Sequence, residues 1–124
     1  MESPAPPALA GTWQIVKAEL AGEEMPAFVA RQIEVEFAAD TYTVRFAGEV
    51  SDHGTYTLAP AGRHAGLLLA GLTGSNAGRS IPALYQLAGD RLRVCYGLDG
   101  VRPGGFATGP GQNLYLATYR RKVS

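Results

Sequence analysis

Apolar and polar residues alternate with a period of two along most of this chain. Ile33, Val35 and Phe37 alternate with Glu34 and Glu36, and Tyr42, Val44 and Phe46 alternate with Thr41, Thr43 and Arg45. Leu92, Val94 and Tyr96 fall on one face of a third such run. Period-two alternation puts one set of side chains into a core and the other into solvent, as on a half-buried strand. The pattern predicts eight strands, over about 11–20, 33–37, 41–46, 49–58, 65–72, 80–87, 91–96 and 113–120. The fifth contains Leu67-Leu68-Leu69 and is apolar on both faces.

Turn residues separate these runs: Ala21-Gly22-Glu23-Glu24, Ala38-Ala39-Asp40, Gly48, Ala59–Arg63, Thr73–Gly78 and Ala88-Gly89-Asp90. Gly54, inside the fourth run, predicts a bulge or a sharp bend. Pro82 has no N–H for a ladder, so it belongs at a strand start or opposite a gap. Met25–Arg31, with Pro26 suited to a first helical turn, reads as a short helix or lid over a barrel mouth. Residues 1–8, with Pro4, Pro6 and Pro7, read as a disordered leader, and 97–112 as the longest loop. Residues 9–124 then form one all-β domain. Eight short, consecutively connected antiparallel strands suit a small up-and-down barrel, whose closure removes edge strands.

The only tryptophan, Trp13, opens the first convincing strand. Simple alternation groups Trp13, Ile15 and Lys17 on one face and Gln14, Val16 and Ala18 on the other. A buried indole is a large apolar mass whose N–H needs a partner, so Trp13 is expected to plug one end of the barrel. Gly11 admits the backbone beside a bulky group.

Composition narrows the classes of partner. Lys+Arg and Asp+Glu are 11 each among 124 residues, giving zero formal net charge. Nucleic acids and anionic membranes are recognised by positive fields, which this chain lacks. A low share of charge, 18%, favours self-association and a possible homo-oligomer. Cys95 is the only cysteine, so no internal disulfide forms, which suits a reducing compartment. Its place inside a strand predicts an inert, partly buried thiol. Residues 1–10 lack the basic and apolar regions of a signal peptide, and no run reaches transmembrane length. The expectation is a cytoplasmic protein with no membrane insertion.

Candidate chemistry is sparse. Gly74–Ser80 has the wrong glycine spacing for a phosphate loop, carries Arg79 in place of lysine, and precedes a strand. Gly109-Pro110-Gly111 lacks the context of a dinucleotide site. His53 and His64, the only histidines, have no metal-ligand spacing with cysteine or acids. His53 reads as an exposed strand or bulge residue. Ser, His and Asp are present, but nothing marks a nucleophile, base and orienting group. No catalytic residue, metal or cofactor is expected, and the chain does not read as an enzyme. All six tyrosines fall on predicted strands, where some hydroxyls could line a cavity.

Several motifs, in order, resemble a family of uncharacterised bacterial lipocalin-like domains. Leu9-Ala10-Gly11-Thr12-Trp13 fits its L-x-G-T-W motif, and Gly54-Thr55-Tyr56 fits its G-T-Y. Tyr85–Cys95 fits Y-x-L-x-G-D-x-L-x-x-C, Arg102–Phe106 fits R-P-x-x-F, and Arg120-Arg121-Lys122 matches the basic end. Ala83-Leu84 departs from the usual Gly-Ile. The resemblance implies a lipocalin-like barrel and no established activity. It also implies an arginine from the last strand packed on the tryptophan, a role open to Arg120 or Arg121.

Two functions follow. An eight-stranded barrel can hold one small apolar or amphipathic molecule. Its lining would come from Phe37, Tyr42, Val44, Tyr56, Leu84, Tyr85, Leu92 and Tyr96, with Arg120 for an acidic head and Trp13 with Arg121 as the plug. Alternatively the barrel is filled, and the chain is a protein-interaction module that makes contact through loop 97–112 and Leu67–Leu69.

Overall fold

A computed structural model describes residues 9–58 and 65–122. The leader 1–8, the loop Ala59–Arg63 and His64 lie outside the described residues. The strands are β1 (Gly11–Leu20), β2 (Glu23–Glu24), β3 (Ile33–Phe37), β4 (Thr41–Phe46), β5 (Glu49–Leu58), β6 (Ala65–Gly74), β7 (Ser80–Ala88), β8 (Arg91–Gly97) and β9 (Leu114–Arg121). Each of β3 to β8 pairs antiparallel with the next, and β1 pairs with both β3 and β9. Eight strands thus close into an up-and-down barrel. The ninth, β2, is a two-residue addition to the end of β1 where the sequence reads as a turn. It exists because Met25 N–H bonds back to Ala18 O at 2.8 Å, drawing the chain alongside β1.

The expected short helix is α1 (Ala27–Ala30), with Pro26 at its N-cap. It occupies the gap left where β1 parts from β3 after Gln14. The Gln14 side-chain amide donates to the Arg31 and Ile33 carbonyls at 3.0 and 2.9 Å, replacing the missing ladder bonds.

Strict alternation fails in β1. The β1–β9 register shifts between Ile15 and Lys17, so Val16 is the extra residue of a bulge. Trp13 and Ile15 point inward as expected, but Ala18 is buried after them while Lys17 is exposed. In β6, Leu67 and Leu69 enter the core and only Leu68 is half-exposed. Pro82 pairs with Leu68 and stands just beyond the end of the β7–β8 ladder, so its missing N–H leaves no ladder bond unmade on that side.

Gly54 sits at a register shift between β5 and β6, as its place in the sequence predicts. A Cβ there would stand 2.2 Å from the Ala70 carbonyl oxygen and 2.8 Å from the Tyr42 ring. Gly54→Ala should therefore destabilise by about 1–3 kcal/mol, since neither the neighbouring strand nor a buried ring yields cheaply. Urea denaturation measures this; a change under about 0.5 kcal/mol, the usual surface value, would refute the close approach.

The loop 98–113 folds back on the outer wall of the barrel. Arg93 of β8 places its guanidinium 4.4 Å from the Phe106 ring centroid. Leu84 and Cys95, cross-strand partners on the outer face of β7 and β8, are fully buried. Thr108 ties the same loop to β1, donating to Glu19 Oε1 at 2.7 Å and accepting from Gly22 N–H at 2.9 Å. Burial pushes the Cys95 thiol up, against a smaller opposing hydrogen bond with the Ala107 backbone.

Candidate functional site

The two ends of the barrel are built differently. At the end where β1 begins and β9 finishes, bulky side chains fill the interior. Trp13, Phe37, Tyr56, Leu67 and Leu92 are all buried there. Phe37 and Tyr56 meet edge to face with centroids 5.2 Å apart, and the Tyr56 hydroxyl donates to Ala38 O at 2.6 Å. Trp13 Nε1–H donates to Leu9 O at 3.0 Å. The Arg121 guanidinium lies 4.2 Å from the indole centroid and donates to Ala10 O at 2.9 Å. Gly11, at φ +138°, leaves room for that guanidinium: a Cβ would stand 2.7 Å from Arg121 Nη1. Arg120 is exposed on the outer face of β9.

The opposite end, beside α1 and the β4–β5 and β6–β7 turns, holds a cavity of about 250 Å³. Ile33, Val35, Val44, Phe46, Leu69, Ile81 and Leu98 give it an apolar wall. Tyr42, Tyr96, Tyr115 and Tyr119 supply aromatic faces and hydroxyls, and Ser51, Asp52 and Asn76 supply further polar groups. The space exists because Gly54, Ala83 and Ala117 are the inward residues of β5, β7 and β9 near mid-barrel. Bare Gly54 also lets the Tyr42 ring lie across β5.

The Tyr96 and Tyr119 hydroxyls are 2.8 Å apart, and the Tyr96 and Tyr115 rings stack with centroids 5.5 Å apart. Burial pushes the Tyr115 hydroxyl up to about 12, and drives Tyr96 and Tyr119 well above the usual phenol value. Tyr42 is raised first by burial and then by the charge of nearby Asp52. These hydroxyls stay protonated at neutral pH and can donate or accept. At the rim, the Arg79 guanidinium donates to Asn76 Oδ1 at 3.1 Å and to the Leu98 carbonyl, tying the β6–β7 turn to the start of loop 98–113.

Of the residues expected to line a site, Tyr42, Val44 and Tyr96 face this cavity. Phe37, Tyr56, Tyr85 and Leu92 are buried in the same core but do not line the cavity. Leu84 faces the outer wall, because Tyr85 beside it takes the inward position and neighbours on a regular strand cannot share a face. Arg120 is at the wrong end and on the wrong face to meet an acidic head in this cavity. Asp52 was within reach of sequence reasoning. It shares the parity of Gly54 and Tyr56 on β5, yet its neighbour His53 draws attention first. His53 lies on the outer face, its Nδ1 3.0 Å from Thr43 Oγ1.

Among the described residues no group of three or more His, Cys, Asp or Glu could hold a metal ion. Among them, too, no helix is long and apolar enough to cross a membrane. Compared with known proteins, the chain matches no protein-family model and no curated protein sequence.

Proposed function

We propose that this chain binds one small, mainly apolar or amphipathic molecule at the open end of its barrel. The observation that carries this is the cavity itself, about 250 Å³ in a barrel whose other half is filled. Protein interiors are otherwise close-packed, and voids larger than a water are few. A cavity of about 150 Å³ can hold a benzene ring, so this one has room for a ring with a short chain. An apolar wall with a few convergent polar groups is the usual make-up of a ligand site. The closed end, with Arg121 over Trp13, supports kinship with lipocalin-like domains, and a free thiol sealed under a loop suits a reducing compartment.

Titration with toluene, followed by backbone amide NMR, tests the proposal. Shifts should concentrate at Ile33, Val44, Leu69, Ile81 and Tyr115. Val44→Phe, which places a ring in the cavity, should weaken binding by roughly tenfold or more, because the lost volume matches the probe. The alternative is the interaction module; with Leu67 and Leu69 buried in the core, its contact surface would have to come from the loop 97–112 or from Phe28, Phe46 and Val50, exposed at the open end. No shifts with toluene, together with a dimer in native mass spectrometry, would favour that module over the binding barrel.

A further inference from the structure

The sequence points to an acidic ligand held by Arg120, but the cavity has the opposite character. Its wall contains no lysine, arginine or histidine. It contains one carboxylate, Asp52, which is only 9% exposed and is the one buried charged residue among those described. Asp52 Oδ1 accepts the Asn76 backbone N–H at 3.0 Å, which fixes the carboxylate in orientation. Among the described residues no hydrogen bond or ion pair reaches Oδ2. Among the described residues no buried side-chain oxygen is left without a partner, so Oδ2 is in contact with the open cavity, where a donor can reach it and pair the charge. Tyr42, near enough to feel the Asp52 charge, lines the same cavity together with the rings of Tyr96, Tyr115 and Tyr119. Their negative faces attract cations and not anions.

We propose that the ligand is a small amine, bound as its ammonium, with the nitrogen against Asp52 Oδ2 and the apolar body among the tyrosines. This rests on the cavity being a binding site. It excludes fatty-acid-like ligands, whose carboxylate would meet Asp52 in a site of low polarity. Arg79 does not reverse the sign, because its guanidinium is at the exposed rim, engaged with Asn76 Oδ1 and Leu98 O.

The test uses the full chain and three probes of nearly equal shape: phenethylamine, phenethyl alcohol and phenylacetate, titrated calorimetrically at neutral pH. Phenethylamine should bind roughly tenfold or more tighter than the alcohol, as a charge-assisted hydrogen bond replaces a neutral one. Phenylacetate should bind weakest. Asp52→Asn should abolish the preference for the amine. That substitution keeps an acceptor for the Asn76 N–H. Should it fail to fold, the ranking of the three probes on the unaltered protein decides alone. Equal binding of amine and alcohol, or a preference for phenylacetate, would overturn the amine assignment and leave the binding cavity standing. Failure of all three to bind would overturn both.

Discussion

Replacing Trp13 with alanine is expected to cost about 3–5 kcal/mol of stability, the range for deleting a large aromatic from a packed core. For a small domain whose total is of order 5–15 kcal/mol, that brings the barrel close to unfolding. Trp13 is fully buried, so the whole indole volume becomes a hole at the closed end. Two further groups lose their partners. The Leu9 carbonyl no longer receives the indole N–H, and the Arg121 guanidinium loses the ring beneath it. An arginine over a tryptophan is worth about 0.5–2 kcal/mol, more as it is desolvated. Trp13→Phe separates these contributions, since it keeps a ring for Arg121 and most of the volume but removes the N–H. It should cost markedly less than alanine. Urea denaturation followed by circular dichroism measures both. A loss under about 1 kcal/mol for Trp13→Ala would mean that the indole does not seal the barrel.

That end of the molecule was legible in the sequence for a physical reason. A lone tryptophan after Gly-Thr at the head of an alternating run has few places to go other than the core. The strands were legible for a similar reason: alternation and turn residues act locally, so β3, β4 and β8 fall where Ile33–Phe37, Thr41–Phe46 and Arg91–Tyr96 place them. What escaped depends on pairing between distant segments. The bulge at Val16 arises from the match of β1 to β9, and no local feature of Lys17-Ala18 announces that Ala18 takes the inward place. The burial of Leu84 and Cys95 on the outer wall depends on loop 98–113 returning over β7 and β8. Most consequential for the site, alternation tells which residues face inward but not which end of the barrel they occupy. Phe37, Tyr56, Leu92 and Tyr96 all face inward; three fill the closed end and only Tyr96 reaches the cavity. Asp52 was missed because an acidic residue beside a histidine reads as surface chemistry, whereas its spacing of two from Gly54 places it inside.

Raising the pH should unfold this protein in one cooperative step, with the tyrosines ionising as the barrel opens and not before. All six tyrosine hydroxyls are raised by burial above their ordinary value of 10.0. For each, the folded state favours the protonated form. Its contribution is therefore fully present below about pH 10, where unfolded tyrosine is also protonated, and is lost as pH climbs toward the folded value. Between pH 10 and its folded value, each such tyrosine loses about 1.4 kcal/mol of its contribution per pH unit. Tyr96 and Tyr119 dominate, because they are buried in direct contact and two phenolates cannot share the place of one hydrogen-bonded pair. Together they remove about 3 kcal/mol per unit, and Tyr115 adds to this until about pH 12, so a domain of about 5 kcal/mol, the low end of ordinary stability, should unfold between about pH 11 and 12. Ultraviolet absorbance of tyrosinate and circular dichroism should change together. Tyr119→Phe removes one of the two titrating groups and should make the unfolding less steep in pH. Tyrosinate appearing gradually around pH 10 while the barrel stays folded would instead mean that water reaches these hydroxyls freely. The same titration bears on the site, since Tyr42, Tyr96, Tyr115 and Tyr119 line the cavity. A molecule bound there stabilises the folded state by mass action, so saturating toluene should move the alkaline transition to higher pH, whereas an amine should lose its advantage over toluene in that range, because an alkylammonium titrates near the lysine value of about 10.4.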